Sequence, residues 1–306
     1  LATRLASVLQ GVYLVEVERV PEHFGSLAEF LLDALREASL DEPGVTRDAY
    51  GEGEENAHAI VREQAEKLGL AVTRDAAGNL FMTWPGRFPD RKPWIVGSHL
   101  DSVPHGGNFD GAAGVVAGLA AISTAMAAGL EPPRPVTVLA IRAEESTWFP
   151  ASYIGSRAAF GQLEPAALDL PRADNGRTLD EHMRALGLNP EAVRRHEPSI
   201  RRDAIHGYVE IHIEQGPSLE LEGAPVGLVT GISGSFRYRT GRCLGSYGHS
   251  GAVPRRHRRD TVMALADLAM KLDRFWEENE TTEAPLTITF GQVSTDPEQH
   301  AFSKFR

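Results

Sequence analysis

The twenty residues "IVGSHLDSVPHGGNFDGAAG", Ile95 to Gly114, place two histidines, two aspartates and five glycines directly after an apolar run. "PWIVGSH" has the length and texture of a buried parallel strand whose carboxyl end faces a site. "GAAGVVAGLAAISTAMAAGL" (Gly111 to Leu130) then predicts a small-residue helix packed closely on a sheet. Strand, polar loop and buried helix together form the repeating unit of an α/β fold.

The same pattern continues on both sides. "RPVTVLAIRAEES" predicts a second buried strand ending in Glu144 and Glu145, and "YVEIHIEQG" a third that alternates and ends near Gln215. Upstream, residues 24–38 and Glu54 to Leu70 carry apolar residues at helical spacing, with Gly69 as a stop. "LAVTRDAAGNLFMTW" reads as strand, turn and strand. Residues 164–202 form a variable stretch rich in Pro, Asp and Arg. From Gly234 the texture changes. "SFRYRTGRCLGSYGHSG" suggests strand and turn, "DTVMALADLAMKLDRFWEEN" an amphipathic helix, and "PLTITFGQVS" another strand. The expected architecture is a mostly parallel-sheet α/β domain with helices on both faces, residues 1–233, followed by a smaller α+β module, 234–306.

Composition excludes several classes. The 306 residues carry a formal net charge of -11, which repels nucleic acid and anionic membrane. "RRHRR" (Arg255 to Arg259) is too short to reverse that. The single cysteine, Cys243, rules out an internal disulfide framework and any thiolate zinc site. No segment has the apolar length of a transmembrane helix. The N-terminal "LATRLASVLQGVYLVEVERV" is interrupted by Glu16 and Glu18 and shows no cleavage site, so the expected location is the cytoplasm.

Three predicted strands thus end in possible metal ligands: His99 with Asp101, Glu144 with Glu145, and His212. Asp110 lies in the loop that opens the helix. In open α/β sheets such ends converge on one site. Imidazole and carboxylate suit Zn²⁺, Mn²⁺, Co²⁺ or Ni²⁺. In H-x-D, residues i and i+2 of an extended segment point the same way, so Asp101 can orient His99. Asp110 has two oxygens with which to bridge two ions. Glu144 and Glu145 cannot both face one point unless the backbone turns; then one binds metal while the other acts as general base. Each pair alone is a common chance pattern; their coincidence at strand ends favours a dinuclear hydrolase over a structural cluster. "GGNFDG" lacks the lysine and spacing of a phosphate loop. His105 reads as a loop residue, and His58, His182, His196 and His206 as ordinary surface histidines.

"GSHLDSVPHGGNFDGAAGV", "AEES", "GSRAAFG", "HIEQGPSLE", "GISG" and "GHSGAVPRRHRRD", in this order, resemble the N-carbamoyl-L-amino-acid hydrolase, allantoate amidohydrolase and ureidopropionase group. That group belongs to the dinuclear-zinc aminoacylase and carboxypeptidase family. The resemblance implies two divalent ions, zinc first with manganese, cobalt or nickel as alternatives. His99, Asp110 and His212 would hold one ion, Asp110 bridging to a second held by Glu145. Glu144 would be the general base, with Asp101 orienting His99. Gln215, His249 and Arg258 match substrate-contacting positions, the last two in a lid module. The implied partners are a small ureido substrate and a second copy of the chain through the lid. An aminoacylase or dipeptidase activity, or a metal-binding fragment without activity, are the alternatives. Three positions depart from the group: Ser146-Thr147-Trp148 replaces a frequent Gly-Ser-Arg, Ser303 replaces a substrate-binding asparagine, and the last metal-ligand histidine and carboxylate-binding arginine would lie beyond Arg306.

Overall fold

The structure is a computed structural model describing residues 22–232, 234–236, 238, 241–280, 286–295 and 304–305. The apolar stretch before residue 22 and Ser303 lie outside the described residues. The chain divides into two compact units, Leu1–Glu222 and Gly223–Arg306.

In the first unit, helix α1 (Glu22–Ser39) leads through the short strands β1 (Leu40–Asp41) and β2 (Gly44–Val45) to α2 (Glu52–Lys67). Strands β3 (Ala71–Arg74), β4 (Leu80–Trp84) and β5 (Trp94–His99) precede α3 (Ala112–Ala127) and β6 (Val136–Ile141). The short helices α4 (Ile154–Ala159), α5 (Leu179–Ala185) and α6 (Pro190–Arg194) come before β7 (Gly207–Val209) and α7 (Ser218–Glu222). One sheet carries the order β3–β4–β6–β5–β7. β5 is parallel to β6 and β7, while β4 runs antiparallel to β3 and β6, so every strand except β4 points the same way. The α/β expectation holds, with β4 turned back by the tight turn at Asp75–Asn79.

Alternation along the central strands divides the core. Val96, Val138 and Ala140 pack with α1, α2 and α3 on one face. Ile95 and Leu139 meet Ala159 and Ile200 on the other. α3 is apolar nearly all round, and Val115, Val116, Leu119 and Ile122 are buried. The variable stretch is ordered around its own core: Leu163, Leu168, Leu179 and Met183 pack with Tyr50 and Phe149. A capping box between Thr178 and Glu181 starts α5.

Three expectations are corrected here. The predicted third strand ends at Val209, before His212, because β7 pairs with β5 only as far as Val96. Beyond it the chain leaves the sheet to run beside α3, where a Cβ on Gly114 would stand 2.4 Å from the Ile211 carbonyl oxygen. His58 and His182 are buried and not surface residues. His58 lies on the inward side of α2 with Ala57 and Val61, and His182 packs edge-on against Phe149. Finally, the described part of "PLTITFGQVS", residues 286–294, forms no strand, and no ladder partner meets it among the described residues.

In the second unit the amphipathic helix is α8 (Thr261–Asn279), capped by Asp260, whose carboxylate accepts from Met263 N at 3.2 Å. The short strand β8 (Gly248–His249) pairs antiparallel with Lys304 and Phe305.

Candidate metal centre

Register places His99, the last residue of β5, opposite Ile141, the last of β6. The loops that follow, 100–111 and 142–153, therefore leave the sheet side by side at one edge. This brings His99, Asp101, Asp110, Glu144 and Glu145 together although they span nearly fifty positions.

Asp110 is the centre. Its Oδ1 is buried without a hydrogen-bond partner, and it faces His212 Nε2 at 3.3 Å and His99 Nε2 at 3.8 Å. One ligand atom from each of the three residues lies within 4.8 Å of the others. Two nitrogen or oxygen donors bound to one tetrahedral ion lie about 3.4 Å apart, so the trio fits a divalent cation. Both imidazoles are oriented alike. His99 Nδ1 donates to the Asp101 carbonyl oxygen at 3.0 Å and His212 Nδ1 to that of Ile213 at 2.8 Å, which turns each Nε2 toward Asp110. The other oxygen of Asp110, Oδ2, accepts from Gln215 Nε2 at 2.6 Å.

Asp101 does more than the H-x-D spacing suggested. The carboxylate is fully buried, 3.4 Å from His99 Nδ1, while the backbone oxygen makes the closer bond to that ring. Its two carboxylate oxygens accept from Glu144 N at 2.9 Å and Glu145 N at 3.0 Å. The backbone does turn directly before the glutamate pair: Ala143 has φ 49. Ala143 N donates to Glu54 Oε1 at 2.9 Å, and the buried guanidinium of Arg142 donates to Glu54 Oε2 at 3.0 Å and to Glu55. Trp148, one of the unusual residues after the glutamate pair, donates Nε1–H to the Ser102 carbonyl at 2.7 Å. It thereby clamps the loop next to Asp101.

The electrostatics follow from crowding. Burial pushes the His99 imidazolium down, but the neighbouring Asp101 and Glu144 carboxylates outweigh it and hold the ring at about 9. Burial, reinforced by the adjacent carboxylates, raises both Glu144 and Glu145 against the pull of His99. The trio of close donors excludes Glu145, yet that carboxyl is near enough to feel Asp101, His99, Asp110 and His212.

In the second unit, His249 Nδ1 accepts from Gly251 N at 3.1 Å and Ala252 N at 3.2 Å, which puts the ring proton on Nε2. Arg258 Nε donates to Val253 O at 2.8 Å, and its Nη2 donates to Ser250 O. The guanidinium thus braces the turn that follows His249. His105 is an exposed loop residue beside Asp41.

Sequence reasoning missed Glu54, Arg142 and Trp148. Arg142 carried a usable signal, a charge set directly after a fully apolar strand, and Trp148 stood out as a departure from the group's pattern without its role being legible; Glu54 carried none.

A family model described as peptidase family M20/M25/M40 matches residues 95–301, well over half of the chain. The chain belongs to that family. Among M20-related proteins it is 39% identical over 254 residues to an N-carbamoyl-L-amino acid amidohydrolase of Geobacillus stearothermophilus, covering 83% of this chain and 60% of that protein. It is 32% identical over 252 residues to a ureidoglycolate hydrolase of Oryza sativa subsp. japonica, covering 82% of this chain and 52% of the relative. A crystal structure of a hydantoinase/carbamoylase family amidase from Burkholderia ambifaria matches with a TM-score of 0.74 at 29% identity, over 92% of this chain and 66% of that one. The chain thus spans less than two thirds of the length of these curated relatives. Among the described residues no helix is long and apolar enough to cross a membrane.

Proposed function

We propose that this chain is the metal-binding part of an amidohydrolase that cleaves a linear ureido C–N bond, in an N-carbamoyl-L-amino acid, allantoate or 3-ureidopropionate. The observation that carries the reading is the buried, unpartnered Oδ1 of Asp110, faced by two imidazole Nε2 atoms. Relatives named for ureido substrates supply the substrate class.

His99, Asp110 and His212 would hold one divalent ion, zinc by preference, and Asp110 and Glu145 would serve a second. When bound, the ions supply Lewis acidity toward the ureido carbonyl and make a water acidic enough to lose its proton near neutral pH. Glu144 takes that proton and delivers it to the leaving nitrogen; its raised basicity through burial suits the task. Asp101 keeps Glu144 and His99 in place through its backbone and carboxylate bonds. Gln215, which donates to Asp110 Oδ2 at 2.6 Å, would contact substrate. His249 and Arg258, which the family resemblance matches to substrate-contacting positions, would bind substrate, His249 with its Nε2 proton available to donate and Arg258 bracing the turn that follows it. From an N-carbamoyl amino acid and water the products are the amino acid, ammonia and carbon dioxide.

Residues 1–233 form the catalytic part in this reading and 234–306 a lid, through which two copies pair in the cytoplasm. The test is hydrolysis of N-carbamoyl against N-acetyl amino acids, with metal content measured on the same sample. Glu144→Gln should abolish turnover and keep the metal; unchanged turnover removes Glu144 from its role, and preference for N-acetyl substrates removes the ureido assignment.

A further inference from the structure

Arg47 lies between β2 and α2, far in sequence from every residue of the centre, and its side chain is entirely buried. Its Nε donates to Leu100 O at 2.7 Å. Nη1 donates to Asn108 Oδ1 at 3.2 Å, and Nη2 to Asn108 O at 3.1 Å and Asp110 O at 3.5 Å. The backbone joins in: Arg47 N donates to Ser102 Oγ, and Arg47 O accepts from Ser102 N, both at 2.9 Å. One residue therefore ties together positions 100, 102, 108 and 110, the two ends of the loop that starts next to His99 and finishes at Asp110. Asn108 passes the restraint on to the core by donating Nδ2–H to Leu32 O of α1 at 2.9 Å.

Burying a guanidinium costs several kcal/mol unless its charge is used, and backbone carbonyls alone would be served as well by neutral donors. Here the cation sits where the carboxylates of Asp101 and Asp110 act on it. A guanidinium keeps its charge at neutral pH. Its planar fork also fixes direction as a lysine ammonium does not.

We infer that Arg47 is a positioning residue of the metal centre: its fork sets the separation of His99 and Asp110, and its charge offsets the carboxylates of Asp101 and Asp110. This rests on the metal reading proposed above. It assigns a task to a residue that touches neither ion nor substrate.

The test is a Co²⁺ titration of the whole chain, read by the visible absorption of bound Co²⁺ and by competition with a chelator. Wild type, Arg47→Met, Arg47→Lys and Asn108→Ala are compared below the melting range of each metal-free protein, so that loss of folding does not pass for loss of affinity. Arg47→Met should weaken Co²⁺ binding by about 10–100-fold, the cost of removing a group that orients ligands, and shift the absorption band. Arg47→Lys should recover part of the affinity, through charge, but keep the shifted band. Asn108→Ala, which leaves the cation in place, should weaken binding less. Wild-type affinity and band in a folded Arg47→Met protein overturn the inference; if that variant does not fold, wild-type affinity in Asn108→Ala overturns it. A wild-type chain that takes up no Co²⁺ would instead refute the metal centre itself.

Discussion

Gly111 shows how narrowly the centre is built. It adopts φ +64, and a Cβ there would stand 2.5 Å from Cε1 and Nδ1 of His99. The residue after Asp110 is therefore glycine for two separate reasons, backbone sign and the ring lying over it. Gly111→Ala should cost about 1–3 kcal/mol from strain and overpacking. The ring that moves is a metal ligand, so Co²⁺ affinity should fall as well. Chemical denaturation together with a Co²⁺ titration checks both; a variant with full affinity would show that the ring is free to adjust. Glu54 makes the same point from the other side. Glu54→Gln takes from buried Arg142 one of its two carboxylate partners and leaves Glu55, so the loss should fall below the ~3–5 kcal/mol of a fully broken buried pair. It also weakens the acceptor that holds Ala143 N, so in protein that remains folded turnover should drop through displacement of the glutamate pair.

Helix α2 carries a pH-dependent liability. His58 is 4% exposed, both ring nitrogens lack a hydrogen-bond partner, and Arg142, Arg74 and Arg62 add to the burial that keeps it neutral. Its folded pKa lies well below the ordinary 6.5, so between those two values the unfolded chain binds a proton that the folded chain does not. Stability is then complete above about pH 6.5 and declines as pH falls, by up to about 1.4 kcal/mol per unit. His58→Leu removes the titration. The stability difference between variant and wild type, followed by urea unfolding from pH 7.5 to 5, should shift in favour of the variant as the pH drops. A difference independent of pH would mean that His58 finds a partner in solution.

Among the described residues, the three close metal donors all belong to the first of the two units. A ligand that binds only folded protein stabilises by about 2.7 kcal/mol at a hundred times its dissociation constant. Zn²⁺ should therefore raise the calorimetric transition of the first unit and leave that of the second in place, with a chelator reversing the shift. Equal movement of both transitions would mean that the units unfold as one body or that the second holds ligands too. The net charge of -11 adds an electrostatic bias toward cations in general, so Mg²⁺ at equal ionic strength is the control.

Local pattern was enough for the strand–loop–helix unit at Ile95–Gly114, for α1, α2 and α8, and for singling out His99, Asp110 and His212, which the fold brings together. These depend on periodicity, on chemistry at loop positions and on the ordered succession of motifs, all of which survive in one dimension. The end of β7, the burial of His58 and His182 and the absence of a strand at 286–295 were not legible. Each depends on what the neighbouring element supplies: a register that stops at Val96, a helix face turned inward, a ladder partner. Asp101 is the clearest division between the two. Its spacing from His99 announced a role in orienting that ring, but its carboxylate is spent on Glu144 and Glu145, forty-three and forty-four positions away. Nor does any pattern in "GVTRDAY" mark Arg47, since a buried cation is defined by the carbonyls and carboxylates that surround it only after folding.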